Sequence, residues 1–350
     1  MIVGIPKYYP LQSGDAAVDK SQTPIGPRKQ RQVYTYIAAA SAVLLTVLGS
    51  YLLWTAGMSS ASSPGARTSL ERYLSPTRDD DARHLGNVTP INVWSHNDEW
   101  RADPLFDALR QGCTFVEADV WLVDGQILVG HNAAMLTPGR SLRNLYLDPL
   151  HKLVAHINAR AAQGSSVQGV FAIDENQPLH LCIDIKVGPN QTAGQVFQAL
   201  QSELRSLREA GYLTTYDTQT ETWSRSAITV VGTGATPMQG VLEMTQRDIF
   251  FDVPMSMIAD SATIDSTVSV TSISDYQEHV NWNGREPHGR ENAIQVVKSL
   301  IKDSKKSGIL SRFWNTPSWP IYARDAVWRM LLDAGVDVLN ADDLVAAASF

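Results

Sequence analysis

Short apolar segments alternate with amphipathic ones along the chain from about residue 90 onward. Eight of the apolar segments have the length of strands, and helical periodicity follows most of them. The predicted strands are Ile91–His96, Thr114–Val120, Leu179–Val187, Ala227–Gly232, Asp248–Val253, Val268–Ile273, Leu310–Asn315 and Val336–Asn340. The predicted helices include Pro104–Arg110, Ala193–Glu209, Glu291–Lys306 and Ala323–Ala334. This order predicts an α/β fold, a (β/α)8 TIM barrel, with a doubly wound open sheet as the alternative.

A different pattern precedes the predicted barrel. Residues 32–66 contain no charged side chain, and the apolar run Thr35–Gly57 within them is long enough to cross a bilayer. We expect a single transmembrane helix here, and a cleaved signal peptide is the less favoured alternative. The basic residues Arg28, Lys29 and Arg31 lie just before the run, which predicts a cytosolic N-terminus and a lumenal or extracellular barrel.

The expected domain organisation therefore has four parts. They are a basic cytosolic tail at 1–32, the transmembrane helix at 33–57, a juxtamembrane stalk at 58–86 and the barrel at 87–350. Two glycosylation sequons, at Asn87 and Asn190, agree with a lumenal or extracellular barrel, although each tripeptide is common by chance.

The charge of the chain is unevenly distributed. The net charge is -7, and residues 1–32 contain five basic and two acidic residues, so the remainder is more acidic than the whole. An acidic folded domain argues against nucleic acid as a partner, because nucleic-acid binding depends on a basic surface. The two cysteines, Cys113 and Cys182, form either one disulfide or two buried thiols, and the composition favours thiols.

Carboxylates occur on the inward faces of two predicted strands. Side chains alternate along a strand, so Glu117 and Asp119 share one face of the second strand while aliphatic residues occupy the other. In the third strand, Asp184 and Lys186 share the inward face. Carboxylates this close repel one another unless a cation binds between them.

The three inward carboxylates Glu117, Asp119 and Asp184 are the predicted ligands of one divalent cation. All-oxygen ligation suits Mg²⁺ or Ca²⁺ better than zinc. The alternative is an internal salt bridge between Lys186 and either Asp184 or Glu117.

Two histidines are expected near the C-terminal rim of the barrel, where the active sites of this fold lie. His96 ends the first predicted strand, and His131 ends a predicted hairpin whose turn is Asp124-Gly125. A lone histidine at a strand end is more often structural, but two of them beside an acidic cluster favour catalysis.

The end of the seventh strand carries Arg312, Trp314 and Asn315, which could line a substrate pocket. For Trp314, packing in the core is the preferred alternative, because aromatic residues in strands usually pack there. Asn340 and Asp342 close the eighth strand, where a purely structural role is the preferred prediction and contact with the side chains that line the site is the alternative.

The polar motifs occur in an order shared with a known superfamily. In chain order they are His96-Asn97-Asp98, Glu117-x-Asp119, His131 and Asp184-x-Lys186. This combination resembles the phospholipase-C-like phosphodiesterases, which include glycerophosphodiester phosphodiesterases and sphingomyelinase D. With the later segments VVGTGATP, FWNTPSWP and NADDL, residues 90–345 look most like the fungal "altered inheritance of mitochondria" protein family.

The resemblance implies a metal-dependent phosphoric diester hydrolase acting on a lipid-type or glycerol-type phosphodiester. The implied metal ligands are Glu117, Asp119 and Asp184, the acid–base pair is His96 and His131, and the predicted substrate-binding residues are Asn97, Lys186, Arg312 and Trp314. Two alternatives are an inactive, membrane-tethered binding barrel and a glycosidase that uses Glu117 as an acid.

The sequence departs from the pattern of many glycerophosphodiesterases at three places. His96-Asn97-Asp98 stands where many have His-Arg-Gly, so a phosphate-binding arginine is missing. Asp184 replaces a common glutamate, as in sphingomyelinase D, and Asn132 replaces a common aspartate. The metal ligands and both histidines still match the superfamily pattern. Because of these departures, the substrate cannot be assigned by analogy with glycerophosphodiesters.

Overall fold

Eight parallel strands form the central sheet of the computed structural model, which describes residues 88–350 except 160–164, 260 and 262. The strands are β1 Ile91–Ser95, β2 Cys113–Val123, β3 Leu179–Ile185, β4 Ile228–Gly234, β5 Ile249–Pro254, β6 Ser269–Asp275, β7 Leu310–Trp314 and β8 Leu339–Ala341. Strands β1 to β6 each pair with the next strand in chain order, and β8 pairs with β1. One parallel bridge between Arg312 and Val338 brings β7 to the segment before β8, so the barrel is nearly closed.

Helices alternate with these strands. They are α1 Phe106–Arg110, α2 Asp148–Asn158, α3 Ala193–Glu203, α4 Met238–Leu242, α5 Met255–Ile258, α6 Arg290–Lys306, α7 Ile321–Ala334 and α8 Leu344–Ala348. The short helices Arg205–Glu209 and Tyr276–His279 extend two of the connections. This alternation confirms the predicted TIM-like α/β fold.

Additional strands lie outside the barrel. The strand Gln126–Val129 pairs with the end of β2 through the predicted two-residue turn at Asp124-Gly125. A small antiparallel sheet is built from Thr215–Asp217, Thr222–Ser224 and Gln246–Arg247. The hairpin on β2 matters for the site, because it determines where His131 lies.

The two faces of each barrel strand pack in different environments. Val116 and Ala118 of β2 and Ile183 of β3 belong to the large apolar cluster between sheet and helices. The barrel interior contains a separate small cluster of Trp94, Phe115, Cys182, Val231 and Val338. This separation confirms the predicted alternation of faces in β2 and β3.

A buried ion pair lies above this interior cluster. The guanidinium of Arg312 stacks over Trp94 at 3.6 Å and donates through Nη2 to Asp252 Oδ2 at 2.7 Å. Its Nη1 donates to Asn340 Oδ1 at 2.9 Å. Because Arg312 and Asp252 are both almost fully buried, each is the main counter-charge of the other.

The predicted strands all overlap observed ones, and the ends differ by a few residues. The eighth strand begins at Leu339 rather than Val336, and the third ends at Ile185, just before Lys186. Cys113 and Cys182 are both buried and unpaired, which confirms the preferred prediction of two thiols.

The prediction of a single-pass membrane protein with a lumenal or extracellular barrel is wrong. Within the part of the chain that the structure describes, no helix combines the length and apolarity needed to cross a bilayer. The longest, α6, has 17 residues and several charged ones, whereas a span requires about 20 mostly apolar residues. The tail at 1–32, the apolar segment at 33–57 and the stalk at 58–86 lie outside the described residues.

Replacing the buried arginine tests its structural role. Arg312→Met is expected to lower the free energy of unfolding by about 3–5 kcal/mol, because it leaves Asp252 buried without its counter-charge. Urea denaturation measures the change. The exposed Arg285 provides a matched control, and Arg285→Met should change stability by less than about 0.5 kcal/mol. Equal stability of the two variants would contradict the pairing.

Candidate active site

Three carboxylates from two neighbouring strands meet at the C-terminal end of the barrel. Oxygen atoms of Glu117, Asp119 and Asp184 all lie within 4.8 Å of one another. The register between β2 and β3 places Asp119 directly beside Asp184, and the pleat of β2 places Glu117 on the same face. Glu117 and Asp119 are buried, whereas Asp184 is partly exposed. The structure thus brings the three predicted ligands together.

The carboxylate cluster fits a hard divalent cation. Asp184 Oδ1 is buried and has no hydrogen-bond partner among the described residues, so one strong acceptor of the cluster is unused. Gly234 makes room for this atom: it has φ +63°, and a Cβ at this position would overlap Asp184 Oδ1. An all-oxygen donor set with a free carboxylate oxygen is typical of Mg²⁺ and Ca²⁺ sites.

Lys186 is the cation already present beside the cluster. Its Nζ lies 2.9 Å from Asp184 Oδ2 and 3.3 Å from Asp119 Oδ2. Burial raises the pKa of Asp184 to about 6, and the charges of Asp119 and Glu117 add to this effect against the opposing charge of Lys186. Of the two salt bridges considered from the sequence, the pair with Asp184 is present, and Asp119 replaces Glu117 as the second partner.

His96 lies on one side of the cluster, just after β1. Its Nδ1 is 2.8 Å from Asp342 Oδ1, and its Nε2 is 3.9 Å from Glu117 Oε2. Burial alone would lower the pKa of His96, but the hydrogen bond to Asp342 and the charges of Glu117 and Asp342 outweigh it and raise the pKa. Asp342 therefore orients the ring and stabilises its protonated form, which favours the supporting role over the purely structural one preferred from the sequence.

His131 lies on the other side, immediately after the β2 hairpin. Its Nδ1 is 2.8 Å from Asp119 Oδ2, and its ring meets Trp100 edge-on with centroids 5.2 Å apart. The side chain is 44% exposed, so the ring is accessible from the barrel mouth. Both histidines are thus held through Nδ1 by a carboxylate.

Asn97 connects β1 to the cluster through its backbone. Its φ of 49° lies in the left-handed region, and its N–H donates to Glu117 Oε2 at 3.1 Å. Its side-chain amide donates to Asp342 Oδ1 at 3.3 Å. Asn97 therefore contacts both the cluster and the group that orients His96.

The three carboxylates, Lys186 and both histidines line one cavity of about 330 Å³. It is lined by all nine predicted site residues, which are His96, Asn97, Glu117, Asp119, His131, Asp184, Lys186, Arg312 and Trp314. Trp314 is 40% exposed, which does not agree with the core alternative for this residue. It also lines a neighbouring cavity of about 560 Å³, which shares His96 with the first.

Sequence reasoning missed three residues that shape this site. Glu99 is 1% exposed, and neither of its carboxylate oxygens has a hydrogen-bond partner among the described residues. Burial raises the pKa of Glu99 to about 8, with the charge of Asp119 adding to the shift. Asp252, the partner of Arg312, was detectable as the inward charge of an otherwise apolar strand. Gly234 gave no comparable signal.

Removing the carboxylate behind His96 should change its titration. Asp342→Asn is expected to lower the pKa of His96, because the acceptor's negative charge is lost while the burial of the ring remains. Titration of the histidine ring resonances in chelator-treated protein measures this. The control is Asp343→Asn, since Asp343 pairs with Arg324 instead. An unchanged or raised pKa of His96 in Asp342→Asn would contradict the role of Asp342.

A methyl group at Gly234 should disturb the cluster. Gly234→Ala places Cβ against Asp184 and forces a left-handed alanine, a cost of about 1–2 kcal/mol. We expect lower stability and a smaller rise in unfolding temperature on adding Mg²⁺ or Ca²⁺. The matched control is Gly139→Ala, where a Cβ meets nothing within 4 Å. A full ion-dependent rise in Gly234→Ala would show that this glycine is not needed for the cluster.

Comparison with known proteins places this geometry in a family. The family model described as "AIM6-like phosphodiesterase domain" matches residues 82–252, a range that contains both histidines and the three carboxylates. No solved structure matches the chain.

Fungal relatives match across most of the chain. The altered inheritance of mitochondria protein 6 homolog of Arthroderma benhamiae is 34% identical over 75% of this chain and 84% of that protein. The altered inheritance of mitochondria protein 6 of Saccharomyces cerevisiae is 32% identical over 75% of this chain and 71% of that protein. The altered inheritance of mitochondria protein 6 of Eremothecium gossypii is 31% identical over 74% of this chain and 69% of that protein. The chain therefore belongs to the altered inheritance of mitochondria protein 6 family, as the order of its polar motifs predicts.

Proposed function

We propose that this protein is a metal-dependent phosphoric diester hydrolase that acts on a glycerol-type or lipid-type phosphodiester. The observation that carries the proposal is the convergence of three carboxylates and two carboxylate-held imidazoles on one cavity of about 330 Å³. The description of the matching family model as a phosphodiesterase domain supports it. The retention of every predicted site residue in one cavity favours an active enzyme over an inactive binding barrel.

Charge neutralisation at the phosphate is the first requirement of the reaction. Mg²⁺ or Ca²⁺ held by Glu117, Asp119 and Asp184 would neutralise the non-bridging oxygens and stabilise the charge that develops on them. Lys186 supplies a second positive charge at the same end of the cavity. The backbone N–H of Asn97 holds Glu117 in place for this role.

Proton transfer is the second requirement, and the two imidazoles supply it. His96 and His131 are each held through Nδ1, so Nε2 is the nitrogen available to the substrate. One ring takes the proton of the attacking hydroxyl group, and the other protonates the leaving oxygen. Because the rings come from β1 and from the β2 hairpin, they flank the carboxylates and can act on opposite sides of the phosphorus.

Arg312 and Trp314, which line the cavity beside the proposed phosphate site, limit the shape of the substrate. Arg312 is committed to Asp252 and Asn340, so we propose that it acts as a buried wall of the pocket and not as a mobile phosphate clamp. The half-exposed Trp314 separates the site from the neighbouring cavity of about 560 Å³. That cavity offers space for one ester substituent beside His96.

Hydrolysis of defined esters tests the proposal directly. The full chain with Mg²⁺ or Ca²⁺ should hydrolyse at least one of a panel of glycerophosphodiesters, lysophospholipids, sphingomyelin and an aryl phosphodiester. Chelator should abolish turnover, and Glu117→Gln should reduce kcat by at least about 100-fold, because the developing charge loses its stabilisation. Turnover that persists in chelator would exclude the mechanism.

The acid and the base can be told apart by the leaving group. His96→Ala and His131→Ala should each lower kcat on an alkyl phosphodiester by about 10²–10⁴-fold. An aryl leaving group needs no proton, so the variant that lacks the general acid should keep most of its activity on the aryl ester. The exposed His288 is the matched control, and His288→Ala should behave as the unmodified chain. Full activity of both site variants on alkyl esters would refute the acid–base roles.

A further inference from the structure

A buried carboxylate beside the proposed active site has no role in the mechanism above. Glu99 lies in the short 3-10 helix Asp98–Trp100, directly after β1, and is 1% exposed. Both of its carboxylate oxygens are buried and lack a hydrogen-bond partner among the described residues. A buried carboxylate in this state is costly unless it carries a proton or faces a cation.

The side chain of Glu99 is directed at two groups of the site. Ligand atoms of Glu99, Asp119 and His131 lie within 4.8 Å of one another. Asp119 belongs also to the cluster with Glu117 and Asp184, so the two groups of three share one carboxylate. Neighbouring cations in the described structure bond other groups than the Glu99 carboxylate. Arg140 donates to the backbone carbonyl of Glu99, Lys186 pairs with Asp119 and Asp184, and Arg101 pairs with Asp98.

The two groups of three differ in donor chemistry. The first offers carboxylate oxygens alone, whereas the second includes an imidazole. Imidazole with two carboxylates is a donor set that suits Zn²⁺, while Mg²⁺ and Ca²⁺ are bound almost wholly by oxygen. The ring of His131 is 44% side-chain exposed at the barrel mouth, which gives an ion access from solvent.

We propose that Glu99, Asp119 and His131 form a second cation site, selective for Zn²⁺, and that its occupation inhibits the enzyme. Coordination to zinc uses the imidazole of His131 and displaces its contact with Asp119, so the ring can no longer transfer a proton. The inhibition rests on the proposed function, but the binding site does not. Zinc at this site thus blocks proton transfer by His131. Glu117 and Asp184 still hold the first cation, and Asp119 is shared between the two sites.

Calorimetric titration of Zn²⁺ into the Mg²⁺-saturated full chain tests the site without substrate. We expect one zinc ion to bind per chain. Glu99→Gln and His131→Ala, which each remove one zinc ligand, should raise the dissociation constant for zinc at least about tenfold. Asp184→Asn should keep zinc binding and lose the Mg²⁺-dependent rise in unfolding temperature. Asp124→Asn removes one exposed carboxylate from the hairpin turn and should match the unmodified chain.

Each other result overturns the second site. Zinc binding that is lost in Asp184→Asn and kept in Glu99→Gln would place zinc in the first cluster. Binding that none of these variants weakens would place it on the surface, and no binding at all would leave Glu99 as a protonated buried acid.

Inhibition is then measured as the rate with zinc divided by each variant's own zinc-free rate. This ratio should rise towards one in Glu99→Gln. Zinc binding at the second site without any phosphodiesterase activity would refute the proposed function and leave the site standing. If one zinc ion binds per chain and the activity does not change, the inhibitory role is refuted.

Discussion

Electrostatic repulsion among three carboxylates is the constraint on which the rest of this site depends. Glu117, Asp119 and Asp184 share the mouth of one barrel, and burial together with mutual repulsion raises the pKa of Asp184 and of Asp119. Lys186 offsets part of this repulsion, but Asp184 Oδ1 still lacks a partner in the described structure. The barrel therefore maintains an arrangement that favours binding a further positive charge.

The interior below the carboxylates explains how the fold tolerates them. Apolar packing of Trp94 on Phe115 fills the lower barrel, and the pair of Arg312 and Asp252 lies above it. Asp252 also accepts hydrogen bonds from two threonine hydroxyls, so its oxygens are satisfied. Because Arg312 and Asp252 compensate each other in the layer below, the barrel can hold the three carboxylates at its rim, where a ligand can reach them.

The fold and the cluster of three carboxylates were predictable because both follow from local sequence patterns. Strand length and alternation identified all eight strands and placed Glu117, Asp119 and Asp184 on inward faces. Glu99 was not predictable in this way, since it lies in a short 3-10 turn without periodicity and meets His131 only through tertiary packing. The membrane prediction from the apolar segment at 33–57 failed for another reason: the length and hydropathy of a segment do not by themselves establish where a protein resides.

The pleat of β2 makes the position of two carboxylates independent of the surrounding loops. Glu117 and Asp119 are two residues apart on one strand, so their spacing is fixed by backbone geometry and is independent of the loops. The connection that follows Trp314 and the turn of the β2 hairpin can vary in length and composition without moving that pair. Changes in the rim loops can therefore alter the lining of the cavity, while the strand keeps the two carboxylates at the same spacing.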